Sequence, residues 1–317
     1  MGAGRESTST TTNPRVPFDL ERAIFEQAAF NYPKIMVPTL SLVAWRAYKW
    51  VAHIAFHTIV VVKKKTHPPD NSEAAAVLPC FEIDQLLDII DNPMHSKKRE
   101  FVQNIILSER LLPLQVGAIL KACHQGIYSV AMFPEWVLAQ QWPIAPFPGG
   151  VRFDNLRHLS VGLYEIMGLL ALTPGPSVAI LPALTHLQLL SLKQADDLRA
   201  KVTQHLYLFS KLPTITHMAA EGLQPDQVMR LLAVCRALRV LVAELPSTNI
   251  PEQYAEPEAS GQGSRLVLYV AKPEDRWLAR KWVDGLLDQE DIWTSAERLL
   301  RGLQREGGWK IPPILIP

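Results

Sequence analysis

The chain has 317 residues, 48% apolar and 20% charged, which excludes a disordered chain and allows a sizeable core. Its 32 Lys and Arg nearly cancel 31 Asp and Glu, so no global field draws it to nucleic acid or to an anionic membrane. Three separated cysteines, Cys80, Cys123 and Cys235, form no CxxC pair and predict buried free thiols in a reducing compartment, cytoplasmic or nuclear.

Residues 1–15 are rich in Ser and Thr and lack the apolar core of a secretory signal, so a disordered tail is expected. Residues 16–57 predict a helical module. Leu20, Ala23, Ile24, Gln27 and Ala28 fall at helical spacing behind Asp19 and Glu21, which suit the positive end of a helix. Pro33 and Pro38 are expected to break the chain before a second helix over 39–57, with Leu40, Val43, Ala47, Trp50 and Ile54 on one face. The apolar stretch from Ala47 to Val62 carries Lys49, His53 and His57 and is shorter than the roughly 20 residues that a bilayer needs, so no membrane span is expected. Thr58 to Val62 is a β-branched run and predicts the first strand.

Between residues 102 and 270 one pattern recurs seven times: apolar, two variable residues, apolar, one variable residue, apolar. It begins at Val102, Ile127, Leu156, Leu184, Ile215, Leu238 and, loosely, Leu266, at separations of 25, 29, 28, 31, 23 and 28 residues. Such a period matches a leucine-rich repeat, in which each unit supplies one short strand and a returning helix or coil. Helices are expected over about 83–90, from Pro113 and from Pro225, prolines at first helical positions being well tolerated. The fold class is therefore α/β: a helical module, an irregular leucine-rich-repeat-like solenoid of parallel strands over 58–270, and C-terminal capping helices over 271–317. Of the latter, the helix over 291–305 is expected to close the open end of the solenoid. The stretches 142–150 and 251–264 read as loops, and Trp136 and Trp142 as an exposed pair.

Catalytic chemistry finds little support. His53 and His57 have the spacing of a zinc-binding helix, but Ile54 stands where a metalloprotease needs Glu. Cys123 and His124 are adjacent, which does not set a base on a nucleophile. Gly261 and Gly263 lack the flanking strand and helix of a phosphate loop. Neither enzyme activity, metal nor cofactor is expected. Three histidines, His158, His186 and His217, occupy the same slot in consecutive repeats. Strand alternation turns that slot away from the repeat core, so they are expected to stack at about 4.8 Å as a ladder on the solenoid's open face, where a target peptide could lie.

The first module resembles an F-box. Val16-Pro17, Asp19-Leu20 and Ile24-Phe25 follow its opening pattern, and Leu42-Val43-Ala44, Arg46 and Trp50 its second half. With phrases such as Phe153-Asp154-Asn155-Leu156-Arg157-His158-Leu159, the chain is similar to fungal F-box-like proteins with irregular leucine-rich repeats. That resemblance implies a substrate receptor of a cullin-based ubiquitin ligase. Pro17, Leu20, Ile24, Phe25, Val43 and Trp50 would contact the Skp-type adaptor subunit or support that contact, and the solenoid would hold a target protein. The alternative is a repeat scaffold that works without any ligase.

Overall fold

The computed structural model describes residues 16–62, 78–92, 96–108, 111–133, 151–172, 180–190, 203, 206–245, 265–270, 282, 285–286, 291–305 and 314–315. The expected tail, the two loops, Trp136, Trp142 and most of residues 271–290, where the sequence sets the first of the C-terminal capping helices, lie outside them. The chain divides into two compact units, Met1–Ala55 and Phe56–Pro317.

In the first unit, α1 spans Phe18–Asn31, α2 Pro33–Val43 and α3 Trp45–Val51. Pro33 does not break the chain but opens α2, where a missing N–H costs nothing. Pro38, also expected to break it, lies inside α2. The Ser41 hydroxyl donates to the Val37 carbonyl at 2.6 Å and Thr39 to Ile35 at 2.8 Å, so side chains add bonds where the proline removes one. The break falls instead at Ala44, whose backbone is extended. Ala29, Val37, Leu40, Ala47, Trp50, Val51 and Ile54 form the core of this unit.

The second unit follows a short helix, α4 (Ile54–His57), and is built on one parallel sheet. Its strands are β1 (Thr58–Val62), β2 (Cys80–Glu82), β3 (Asn104–Ser108), β4 (Ser129–Phe133), β5 (His158–Gly162), β6 (His186–Leu190), β7 (His217–Ala220), β8 (Val240–Leu245), β9 (Leu266–Val270) and β10 (Ile314–Leu315). They lie in the order β2-β1-β3-β4-β5-β6-β7-β8-β9-β10, chain order except at the first edge. Three of them, β1, β2 and β10, have no counterpart in the seven repeats; β1 is the β-branched strand expected before them, and β2 and β10 are too short to carry the pattern.

The first sheet face carries the apolar residues of the repeats, in register as Ile59, Ile105, Val130, Leu159, Leu187, Met218, Leu241 and Leu266. Helices α5 (Ile83–Asp91), α7 (Pro113–Cys123), α8 (Leu163–Leu172) and α9 (Pro225–Val234) cover it, with a 3₁₀ turn at Leu206–Lys211 and, near the first edge, a short helix α6 (Ser96–Glu100). Leu86 and Ile90, Val116 and Ile119, Ile166 and Leu170, Val228 and Leu231 are the residues these helices turn inward.

The opposite face is covered too, which corrects the expected open solenoid face. Helix α10 (Ile292–Arg305) does not close the end of the sheet but lies on β7–β9, where Ile292, Trp293, Ala296 and Leu300 meet Ala219, Val240, Val242, Val267 and Tyr269. Nearer the first edge, Trp282 packs with Val60, Val62, Ile106 and Ala131. The physical reason lies in the strands themselves: parallel strands buried on both sides are apolar at successive positions, as in Thr58–Val62 and Leu266–Val270.

Candidate functional site: a polar row and cavity under the C-terminal helix

The first residues of six strands form one row on this second face: Thr58, Asn104, Ser129, His158, His186 and His217, each opposite the next. The row continues to Val240, where it turns apolar. Asn104 Nδ2 donates to Thr58 Oγ1 at 2.9 Å, and that hydroxyl also meets His57 Nδ1 at 3.1 Å.

The three predicted histidines do lie side by side. The ring centroids of His158 and His186 are 4.3 Å apart with the rings tilted by 55°, and those of His186 and His217 are 4.3 Å apart with the rings stacked within 7° of parallel. Each of the last two is oriented by the threonine before it: Thr185 Oγ1 lies 2.8 Å from His186 Nδ1, and Thr216 Oγ1 2.8 Å from His217 Nδ1. His217 Nε2 is 3.0 Å from Glu297 of α10. Burial, opposed by Asp291 and reinforced by His217 and Arg157, pushes the His158 pKa down to about 4. Burial, with the two flanking imidazoles, pushes His186 down to about 3. Both rings are therefore neutral at pH 7.

The ladder is not an open shelf. Trp282 stands edge-on to His158 at 6.2 Å, and Trp293 edge-on to His186 at 5.5 Å and to His217 at 6.0 Å. His217 is buried and the other two half-buried. Trp282 and Trp293 thus stand over His158, His186 and His217, the row on which the sequence reading set a target peptide. Among the described residues, no group of three or more His, Cys, Asp or Glu is placed to hold a metal ion. Stacked imidazoles present faces to one another, whereas a metal needs converging lone pairs.

Where the row leaves the histidines, a cavity of about 210 Å³ opens, lined by His57, Gln103, Asn104, Tyr128, His158, Trp282, Asp291 and Trp293, among others. On this face several polar groups are buried without a partner among the described residues: the Trp282 indole N–H at the cavity, the Ser129 hydroxyl and, one row further in, the Ser160 hydroxyl and both amide atoms of Gln188. Such groups are uncommon in folded proteins and call for an occupant. Asn104 and Ser129 were not singled out in the sequence, although a signal existed: both hold the same slot in their repeats as the three histidines.

Elsewhere the sequence candidates separate. Cys123 is buried and its thiol pushed up to about 12 by desolvation, the reverse of an activated nucleophile. His124 Nδ1 bonds the Lys121 carbonyl instead, at 2.7 Å. In the first unit, Pro17, Leu20, Ile24 and Val43 are exposed, Leu20 and Ile24 at 52% and Val43 at 63%. Phe25 and Trp50 turn inward, their rings 6.0 Å apart, and Phe18 lies edge-on to Trp50 at 4.9 Å. Arg46 bonds Glu21 at 2.8 Å and so joins the start of α3 to the first turn of α1. Leu42, at 88%, and Trp45, at 69%, are exposed as well.

Compared with protein-family models and with curated proteins, the chain matches none. Among the described residues, no helix is long and apolar enough to cross a membrane.

Proposed function

We propose that the protein is a substrate-recruiting subunit of a cullin-based ubiquitin ligase. Its F-box-like module docks on a Skp-type adaptor, and its leucine-rich-repeat-like unit presents a target. The observation that carries this reading is the set of large apolar side chains that the first unit leaves exposed. A three-helix unit of this size exposes Leu20, Ile24, Leu42, Val43 and Trp45 while it buries Phe25 and Trp50. The exposed residues stand at or beside the positions where the F-box resemblance sets its contacts, and the inward ones hold their geometry. Several large apolar side chains left exposed on so small a helical unit suit cover by a partner.

The test is co-purification with the adaptor subunit, wild type beside the Leu20→Asp/Ile24→Asp double variant. Both substituted residues are half-exposed, so the variant should keep its far-ultraviolet circular dichroism and its melting temperature while it loses capture. Failure of the wild type to capture any adaptor overturns the ligase reading and favours a scaffold that acts without one.

A further inference from the structure

We infer that the cavity beneath the C-terminal helix is a binding site for a small organic cation, a quaternary or methylated ammonium group attached to an oxygen that accepts a hydrogen bond. Among the described residues, three aromatic side chains, Tyr128, Trp282 and Trp293, line it together with one carboxylate, Asp291, and no lysine or arginine does. Ammonium groups are held where aromatic faces and one acid surround them, since the ring quadrupole attracts a cation without the desolvation cost of a full ion pair. Asp291 Oδ1 accepts the Thr294 N–H at 2.7 Å, which fixes the carboxylate at the start of α10. Its charge already registers across the site, where it opposes the burial that keeps His158 neutral.

A second, independent observation comes from the unpartnered donors. Among the described residues, the Trp282 indole N–H at the cavity is buried without an acceptor, and so is the hydroxyl of Ser129, which stands in the strand row between the lining residues Asn104 and His158. An oxygen on the ligand satisfies such a donor, and the cation answers the carboxylate. Arg157 stands outside the lining with its guanidinium 6.0 Å over the Tyr128 ring. It works against a bound cation, and its neutralisation is expected to tighten binding.

This site is independent of adaptor docking, and its test needs no adaptor. The full chain, labelled at its indole nitrogens, is titrated at constant ionic strength with choline, with its neutral carbon isostere 3,3-dimethylbutanol, and with a trimethyllysine peptide beside its unmethylated form. Choline or the trimethyllysine peptide should shift indole resonances saturably, and the neutral isostere should bind about tenfold more weakly. Asp291→Asn keeps the helix cap, since Asn caps as well as Asp, and should weaken the cation about tenfold; Arg157→Gln should strengthen it. Tighter binding of the peptide assigns the cavity to a modified protein, and tighter binding of choline to a free metabolite. Equal binding of the neutral isostere, no saturable shift with either cation, or an unchanged affinity in a folded Asp291→Asn protein would each overturn the inference.

Discussion

Lowering the pH from 7 to 5 should remove about 4 kcal/mol of stability from the second unit through His158 and His186 alone. In the folded chain their pKa values sit at about 4 and about 3, chiefly because burial disfavours the charged ring. Unfolded, both revert to about 6.5. The unfolded chain therefore binds protons first, and stability is full above pH 6.5, falls as the pH drops through it, and is wholly lost below about pH 3. At pH 5 each histidine is about 1.5 units below its unfolded pKa and still neutral when folded. At about 1.4 kcal/mol per unit that is roughly 2 kcal/mol apiece, counted as independent. Urea denaturation at pH 7, 6 and 5, wild type beside His158→Gln/His186→Gln, isolates this share, because other titrating groups are common to both. The double variant should start less stable at pH 7 but lose about 4 kcal/mol less on acidification. Parallel pH profiles, or imidazole resonances that titrate near 6.5 in the folded chain, would refute the reasoning.

Trp293→Ala should cost about 3–5 kcal/mol by thermal or urea denaturation, since this 4%-exposed ring packs on both the apolar cluster and two histidines. Cys123 and Cys235, exposed at 2% and 5%, should resist a thiol reagent in the native protein and react at the rate of unfolding, while half-buried Cys80 reacts faster. Gly126→Ala should destabilise by about 1–3 kcal/mol in the same denaturation assay. The added Cβ would fall 2.8 Å from the Glu100 carbonyl oxygen and 2.9 Å from that of Val102, backbone atoms that cannot rotate aside.

Much of the sheet was legible in the sequence. The strand Thr58–Val62 and the strands of the seven repeats fall at or within a few residues of the periodic pattern, because each must turn alternate apolar residues to one helix layer. The histidine stack was legible for the same reason: equal slots in successive parallel strands become neighbours. The second apolar face was written in the strands as well, in Val60, Ile106, Ala131, Val242 and Val267, but the repeat template assigns those positions to solvent and so hid it. What covers that face was not legible. The amphipathic pattern of α10 announces a helix with an apolar stripe, yet nothing local says whether that stripe meets the sheet's end or its flank. The cavity was hidden likewise, since it exists only where Trp282, Asp291 and Trp293 come back over strands far earlier in the chain.

The strands pair almost wholly with their predecessors, so during synthesis each can join the sheet soon after it emerges. The cover for the second face comes much later: Glu297 follows its partner His217 by 80 residues. At about 5–20 residues per second, the ribosome needs roughly 4 to 16 s to make that stretch. For that interval a nascent sheet holds an uncovered greasy flank and a row of still-hydrated imidazoles. A chaperone that recognises such a flank has seconds in which to act. A ribosome stalled just short of α10 would leave a nascent chain that has its strands but not its lid, and that is sticky for as long as the stall lasts.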